Sequence, residues 1–484
     1  MSSPIDGLEP ALVWKHFAEF STVPRCSKQE AAAAQFVLRK AREMGLEAQQ
    51  DKAGNVLVRK PASAGKEGVP GVCLQGHLDM VCEKNAGTKH DFSKDPIQLV
   101  RKDNLMMADG TTLGADNGIA VATNLAIMED RSLVHGPLEL LFTVDEETGL
   151  TGATRLEPGF LQSRILLNLD SEEEGALYIG CAGGADSLGT WKVQFDPAPK
   201  NATPIELMVS GLRGGHSGME IDKGRGNAIK LLNRVLLGLE ETGARLSRID
   251  GGNKRNAIPR EASALVWVPS AQTDRAFEIV QEWQGTLRAE LSSVEPDLSV
   301  TASPARTRKG NVMKRKSQQQ ITRAIAALPH GVIKMSADIA GLVETSTNVA
   351  VVSTRAGKVE ISTSQRSSVA SEIREIVQTV STIMELTGAE VKHGDGYPGW
   401  KPNVDSPILK VARATYKQLY RKQPAVKAIH AGLECGIIGE KYPGIDMVSF
   451  GPTLEGVHSP DEKIHIDTVP RFYEFLLAVL KNVA

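Results

Sequence analysis

Apolar and polar positions alternate along this chain in three blocks. In the first block, residues 9–20 and 28–44 read as helices. The second of these opens with Ser27-x-x-Glu30, the pattern of a capping box, and stops at Gly45. Short apolar runs at 55–59, 72–75, 138–144 and 165–169 read as strands, and a helix is expected over about 117–129. Strands and helices in alternation predict an α/β layer structure.

After Asp170 the texture changes. New strand-like stretches at 190–195, 203–210, 262–268, 349–353 and 358–364 accompany long amphipathic helices near 226–242, 272–294 and 367–387. This reads as an α+β insertion with its own sheet, over about 187–396. The tail then returns to the first style. Ser406-Pro407 is an N-cap followed by an N1 proline and opens a helix to about Arg421. A buried strand at 446–450 and an amphipathic helix at 468–482 follow. The expected organisation is one α/β domain, residues 1–186 and 397–484, interrupted by an α+β domain at 187–396.

Composition narrows the function classes. A chain of 484 residues exceeds what one core usually spans, so two or more domains are expected. Lys and Arg number 56 against 58 Asp and Glu, a net charge of −2, which does not suggest an electrostatic nucleic-acid binder. The basic run 306–316 is therefore read as a solvated loop. The five cysteines, Cys26, Cys73, Cys82, Cys181 and Cys435, are odd in number, scattered and without a CxxC pair. They indicate neither a disulfide framework nor a thiolate zinc site. No signal peptide is read at Met1-Ser2-Ser3-Pro4 and no membrane span elsewhere, so a cytoplasmic, reducing compartment is expected.

The chemistry concentrates at strand ends and in glycine-bounded turns. His77 and Asp79 follow the run 72–75, and Glu146 and Glu147 follow 138–144. Asp170 ends 165–169, and Asp116 lies in Gly114-Ala115-Asp116-Asn117-Gly118. A late His458 stands in Gly456-Val457-His458-Ser459-Pro460. In an open α/β sheet, ligands collect at the carboxyl ends of the strands. Two imidazoles and three carboxylates are the inventory that two zinc ions need if one carboxylate and one water bridge them. The charges of two dications, three carboxylates and a hydroxide cancel, which a poorly solvated cleft tolerates. Asp79, two residues past His77, is placed to accept its second ring N–H. Of the adjacent pair Glu146 and Glu147, one can bind metal while the other faces the cleft as a general base.

These residues resemble the dinuclear zinc peptidases that include carnosinase, carboxypeptidase G and the acylamino-acid deacylases. Longer strings are similar to the bacterial aminoacyl-histidine dipeptidase branch: Gln75-Gly76-His77-Leu78-Asp79-Met80-Val81-Cys82-Glu83-Lys84-Asn85, Ala108-Asp109-Gly110-Thr111-Thr112-Leu113-Gly114-Ala115-Asp116-Asn117-Gly118 and His430-Ala431-Gly432-Leu433-Glu434-Cys435-Gly436. The resemblance spans essentially the whole chain. It implies a mixed-sheet catalytic domain with an inserted lid, and metal-dependent hydrolysis of dipeptides, Xaa-His among them. It also implies two Zn²⁺, with Co²⁺ or Mn²⁺ compatible with the same ligands. One zinc would take His77 and Asp170, the other Glu147 and His458, and Asp116 would bridge. Asp79 would orient His77, and Glu146 would be the base.

The resemblance further implies substrate-facing lid residues His216, Asn256 and Arg366. Arg366 could hold the free carboxylate of a dipeptide bidentately, and His216 could donate to a developing oxyanion. Glu434 could bind the substrate's amino group or be a buried structural carboxylate. Closure of the lid would complete the site. Two other readings use the same residues: an N-acyl-amino-acid deacylase, or a binding protein that kept the fold. Small dipeptides are the expected partners, a homodimer is compatible with the lid, and neither nucleic acid nor membrane is expected.

Overall fold

The structure, a computed structural model, describes residues 3–307 and 309–483. Met1 and Ser2 of the N-terminal reading and Arg308 of the basic run lie outside the described residues. The chain forms two compact units. One comprises Met1–Gly180, Trp400–Ala428 and Leu433–Ala484, the other Cys181–Gly399 and Ile429–Gly432. The division thus falls at 180/181 and 399/400 rather than 186/187 and 396/397, and the short piece 429–432 counts with the second unit.

The first unit is built on an eight-stranded sheet. Its strands run in the order Glu47–Gln50, Val56–Lys60, Leu138–Thr143, Val72–His77, Ile165–Asn168, Asp446–Ser449, Ala176–Cys181, Ala425–Ile429. Four central strands are mutually parallel: Leu138–Thr143, Val72–His77, Ile165–Asn168 and Asp446–Ser449. Every residue of Val72–His77 and Leu138–Thr143 is buried. Such runs are continuous rather than alternating because helices cover both faces of a parallel sheet. A second, four-stranded sheet joins Leu454–Glu455, Lys463–His465, Leu105–Ala108 and Leu99–Lys102.

The second unit carries a nine-stranded sheet, antiparallel at every pairing and centred on Val343–Arg355 and Lys358–Ser367. Helices Ala228–Gly238, Thr273–Leu291, Arg315–Ala327 and Ala370–Leu386 supply its core partners, Leu232, Val235, Ile279, Ile321, Ile325, Val380 and Met384. Asn227 caps the first of these, accepting from the N–H groups of Ile229 and Lys230.

Four local expectations are corrected. Helix 28–44 begins only at Ala31, and no capping box forms. Ser27 Oγ instead donates to Asp79 Oδ2 at 2.8 Å, and Glu30 Oε1 accepts from Asp145 N at 3.0 Å. Glu30 Oε1 also accepts from Lys28 N at 2.6 Å, so a tertiary acceptor for Ser27 and other donors to Glu30 replace the reciprocal pair. The stretch 190–195 divides between strands Gly183–Lys192 and Phe195–Pro197. The run 306–316 is not all loop: it holds strand Asn311–Met313 and opens helix Arg315–Ala327, whose polar first turn hid its period. Finally, Cys26 and Cys82 form a disulfide with Cα atoms 5.6 Å apart, while Cys73, Cys181 and Cys435 are buried thiols. Scatter along the sequence says little about separation once strands are paired.

Candidate functional site

The register of the parallel strands places the candidate ligands. His77 is the last residue of its strand and pairs with Thr143. Gln75 pairs with Asn168, so Asp170, two residues on, lies level with His77 on the neighbouring strand. Adjacent strands run about 4.8 Å apart, and His77 Nε2 comes to 3.3 Å from Asp170 Oδ1. Beyond Thr143 the chain turns sharply at Asp145, which has φ 50°, and delivers Glu146 and Glu147.

Asp116 arrives from helix Ala115–Glu129, at a break where Asp116 and Asn117 leave helical geometry. Gly76 permits the close approach: a Cβ there would run into the Asn117 side-chain oxygen and Ala120. Asn117 then ties the strand ends together, accepting from His77 N at 3.2 Å and donating to Leu169 O at 3.0 Å. His458 sits in the turn between strands Leu454–Glu455 and Lys463–His465, with φ 63°. The second of these strands pairs with Leu105–Ala108, just upstream of Asp116, which explains how so late a residue returns.

All five expected ligands therefore converge. His77 Nε2 lies 3.1 Å from Asp116 Oδ1, and His458 Nε2 lies 3.1 Å from Asp116 Oδ2 and 2.9 Å from Glu147 Oε2. One ligand atom each from His77, Asp116 and Asp170 falls within a 4.8 Å cluster, as does one each from Asp116, Glu147 and His458. Asp116 is common to both. Glu147 Oε1 is buried without a partner, which a cation would satisfy. Two imidazole nitrogens and three carboxylates also suit a divalent ion of the zinc type. Glu146 shares a further cluster with His77 and Glu147.

Electrostatics agree with an anionic pocket. Burial disfavours the His77 imidazolium, yet Asp170, Asp116 and Asp79 hold its pKa well above the usual range. Hydrogen bonds to Asp116 and Glu147 lift His458 to about 11. Burial pushes Asp170 up to about 6 and raises Glu146 well above an ordinary carboxyl. Asp79 is fully buried, and burial works against its charge, but His77 and nearby N–H donors keep its pKa low. Its Oδ1 lies 3.3 Å from His77 Nδ1 and accepts from Glu146 N at 3.0 Å; its Oδ2 accepts from Glu147 N at 3.2 Å.

Several residues that hold this centre had no sequence signal strong enough to single them out. Glu462, 2% exposed, accepts from four successive N–H groups, those of Leu113, Gly114, Ala115 and Asp116, at 2.7–3.2 Å. Arg25, equally buried, donates to Gly114 O at 2.6 Å, and burial lowers its pKa to about 10. Below the ligands, Gln75, Thr143, Asn168 and Ser449 form a polar floor. These polar residues stand at or near the ends of apolar strand runs.

Glu434 belongs to this floor. It is fully buried, accepts from Gln75 Nε2 and Thr143 Oγ1 at 2.6 Å each, and leaves Oε1 unpartnered. Burial raises its pKa to about 7.

In the second unit, His216 lies on strand Gly215–His216, paired with Ala257–Ile258. Its Nδ1 accepts from Gly218 N and Met219 N at 3.3 and 3.1 Å. The ring proton is thereby assigned to Nε2. Burial and Arg366 lower its pKa to about 4, so the ring is a neutral donor at pH 7. Arg366, 9% exposed, donates from Nη1 to Tyr397 Oη at 3.0 Å and leaves Nε unpartnered. His430 stands near it, bonded through Nε2 to Ser346 Oγ at 2.7 Å, with a pKa lowered to about 3 by burial and Arg366. Gly218 is the pivot: a Cβ there would strike the His430 carbonyl and crowd Arg366 and His216. Asn256 is exposed, and its carbonyl accepts from Ser217 N at 2.9 Å. Asn256 and His216 also line a cavity of about 620 Å³ within this unit. Tyr397 and His430 were not expected from the sequence.

Comparison with known proteins places the chain in a family. The sequence pattern of peptidase family M20/M25/M40 matches residues 73–482. The chain belongs to this family. It is 43% identical over 482 residues to the cytosol non-specific dipeptidase of Escherichia coli (strain K12), covering 99% of each protein. The crystal structure of aminoacylhistidine dipeptidase from Vibrio alginolyticus matches with TM-score 0.92 at 43% identity, covering 100% of this chain and 98% of that one. A tripeptidase from Staphylococcus aureus shares the fold at TM-score 0.56 and 15% identity, covering 98% and 99%.

Proposed function

We propose that this chain hydrolyses dipeptides, Xaa-His among them and with broad tolerance, at the centre formed by His77, Asp116, Glu147, Asp170 and His458. A metal-dependent dipeptidase is what the family and the two end-to-end relatives support. The observation that carries the residue assignment is Asp116, whose two oxygens face different imidazoles, His77 on Oδ1 and His458 on Oδ2. That is the arrangement of a bridging carboxylate. In this reading His77 and Asp170 would hold one cation, and Glu147 and His458 would hold the other. We take both ions as zinc, with Co²⁺ or Mn²⁺ as alternatives. Such a pair supplies Lewis acidity to the scissile carbonyl and acidity to a water.

The chain's own groups do the rest. Asp79 fixes the ring of His77. Glu146, beside His77 and Glu147, accepts a proton from the attacking water and returns it to the leaving amine. Its raised pKa suits both halves of that task. His216 offers a neutral Nε2–H to the developing oxyanion. Arg366, held by Tyr397, offers its remaining N–H groups to the substrate carboxylate, and Asn256 is assigned to substrate binding. Glu434 is assigned to the substrate's amino group through its free Oε1. A cytoplasmic location fits the Escherichia coli relative, a cytosol non-specific dipeptidase. No helix among the described residues is long and apolar enough to cross a membrane.

The test combines metal analysis with a substrate panel. Purified protein is expected to carry two transition-metal ions per chain and to cleave Xaa-His and other dipeptides. Chelation should abolish the activity and added zinc restore it. Preference for N-acyl amino acids would mark a deacylase instead. Activity indifferent to chelation would remove the centre from the reaction.

A further inference from the structure

Asp79 is the carboxylate on which the His77 side of the centre turns, and its four contacts come from three places. Two are the backbone N–H groups of Glu146 and Glu147, one is the His77 ring, and one is the hydroxyl of Ser27, 2.8 Å from Oδ2. Ser27 belongs to no helix or strand, and Lys28 after it has φ 69°. Its position is set by what pins residues 25–29. Met80 N donates to Arg25 O at 3.1 Å, and Gln29 N donates to Cys26 O at 2.8 Å. The covalent tie is the Cys26–Cys82 disulfide. It joins the residue before Ser27 to the segment that leaves Asp79, and it closes a loop across a sequence separation of 56. Both cysteines are half-buried, so a reductant has access.

We propose that Ser27 is a positioning residue for Asp79, and that the Cys26–Cys82 disulfide holds it there, so that reducing this bond loosens the His77 side of the centre. The inference rests on the reading of His77 as a metal ligand given above. Carboxylates that orient a ligating histidine tune the metal through that ring, and their own partners matter in turn. A disulfide in a reducing compartment is more often a sensor than a staple. Reduction by a dithiol balances simply. Two electrons and two protons pass to the Cys26 and Cys82 sulfurs, their bond breaks, and the dithiol closes to its own disulfide.

The experiment compares oxidised wild type, wild type reduced with a water-soluble trialkylphosphine, S27A, S27T and the double variant C26S/C82S. The phosphine takes up the oxygen of one water as its oxide, and the water's hydrogens appear on the two thiols. Denatured oxidised protein should titrate as three thiols and reduced protein as five. Zinc retained against a chelator is then measured beside kcat and KM for an Xaa-His dipeptide. S27A should lose zinc at roughly ten-fold lower chelator and drop kcat about ten-fold with KM nearly unchanged, the scale of outer-shell effects. S27T, which keeps the hydroxyl, should recover most of both. Reduction should move wild type toward S27A, and it should leave S27A and C26S/C82S unmoved. Wild-type zinc retention in S27A, equal losses in S27A and S27T, or identical oxidised and reduced wild type would each overturn the proposal. A wild type that holds no metal would instead sink the centre itself.

Discussion

A carboxyl that is to move a proton near neutral pH must have its pKa lifted toward that range, and burial lifts that of Glu146. Glu146 is not one of the five residues that face each other through Asp116, so its loss should spare metal binding. E146Q is expected to lower kcat by ~10²–10⁴-fold at unchanged metal stoichiometry, checked by steady-state kinetics and elemental analysis. Arg366 makes a different prediction. Its guanidinium is anchored to Tyr397 at one end and free at Nε. A lysine in its place keeps the charge but loses the planar fork. R366K should raise KM for dipeptides about ten-fold or more. It should change little for dipeptide amides, which lack the carboxylate, and equal losses on both would refute the role. At this scale the sequence was informative because binding a metal needs particular atoms, and the five residues singled out for theirs cluster in the fold. Tyr397 and His430 escaped because an aromatic or imidazole side chain in a loop has many bland uses.

Elements carry these side chains to their places through register and through backbone satisfaction. The parallel alignment of Val72–His77 with Ile165–Asn168 puts Asp170 beside His77, and nothing local to either strand says so. The loop before Asp116 is held by Glu462, whose carboxylate accepts four N–H groups that otherwise would be buried and unpaired. Replacing it by glutamine turns one acceptor into a donor facing those N–H groups. E462Q should therefore destabilise the protein by roughly 2–3 kcal/mol, given about 1–3 kcal/mol for each buried group left unsatisfied. The midpoint of urea unfolding reads this directly, and an unchanged midpoint would contradict it. Helices such as Thr468–Asn482 and Pro407–Tyr420 were legible from period and caps. The expected capping box at Ser27 and Glu30 failed because Ser27 bonds Asp79 across the fold and Glu30 Oε1 is taken by the N–H groups of Lys28 and Asp145.

For the whole molecule, the buried polar floor couples folding to pH. Glu434 has its folded pKa raised to about 7 from an ordinary 4.5, so the folded state binds the proton more tightly than the unfolded chain. Its contribution is fully present below about 4.5 and is lost as pH rises through about 7. In metal-free protein the difference between the two plateaus is on the order of 3 kcal/mol. E434Q, which cannot ionise, should flatten that part of the stability curve when unfolding is followed from pH 4 to 8. A variant with the same slope as wild type would assign the fall to other groups.

The chain by itself offered the side chains that are candidates for binding metal, the change of texture after Asp170 and the long helices. Those follow from side-chain chemistry and from periodicity, both local properties. Only the tertiary structure decided that His458 returns to Asp116, because strand Lys463–His465 pairs with Leu105–Ala108 across most of the sequence. It also decided that Cys26 meets Cys82, that Glu462 and Arg25 are buried at the loop of Asp116, and that the 429–432 segment counts with the second unit. Contacts between distant segments depend on strand order and register. Those are set by how whole faces bury together, which no short stretch of residues encodes.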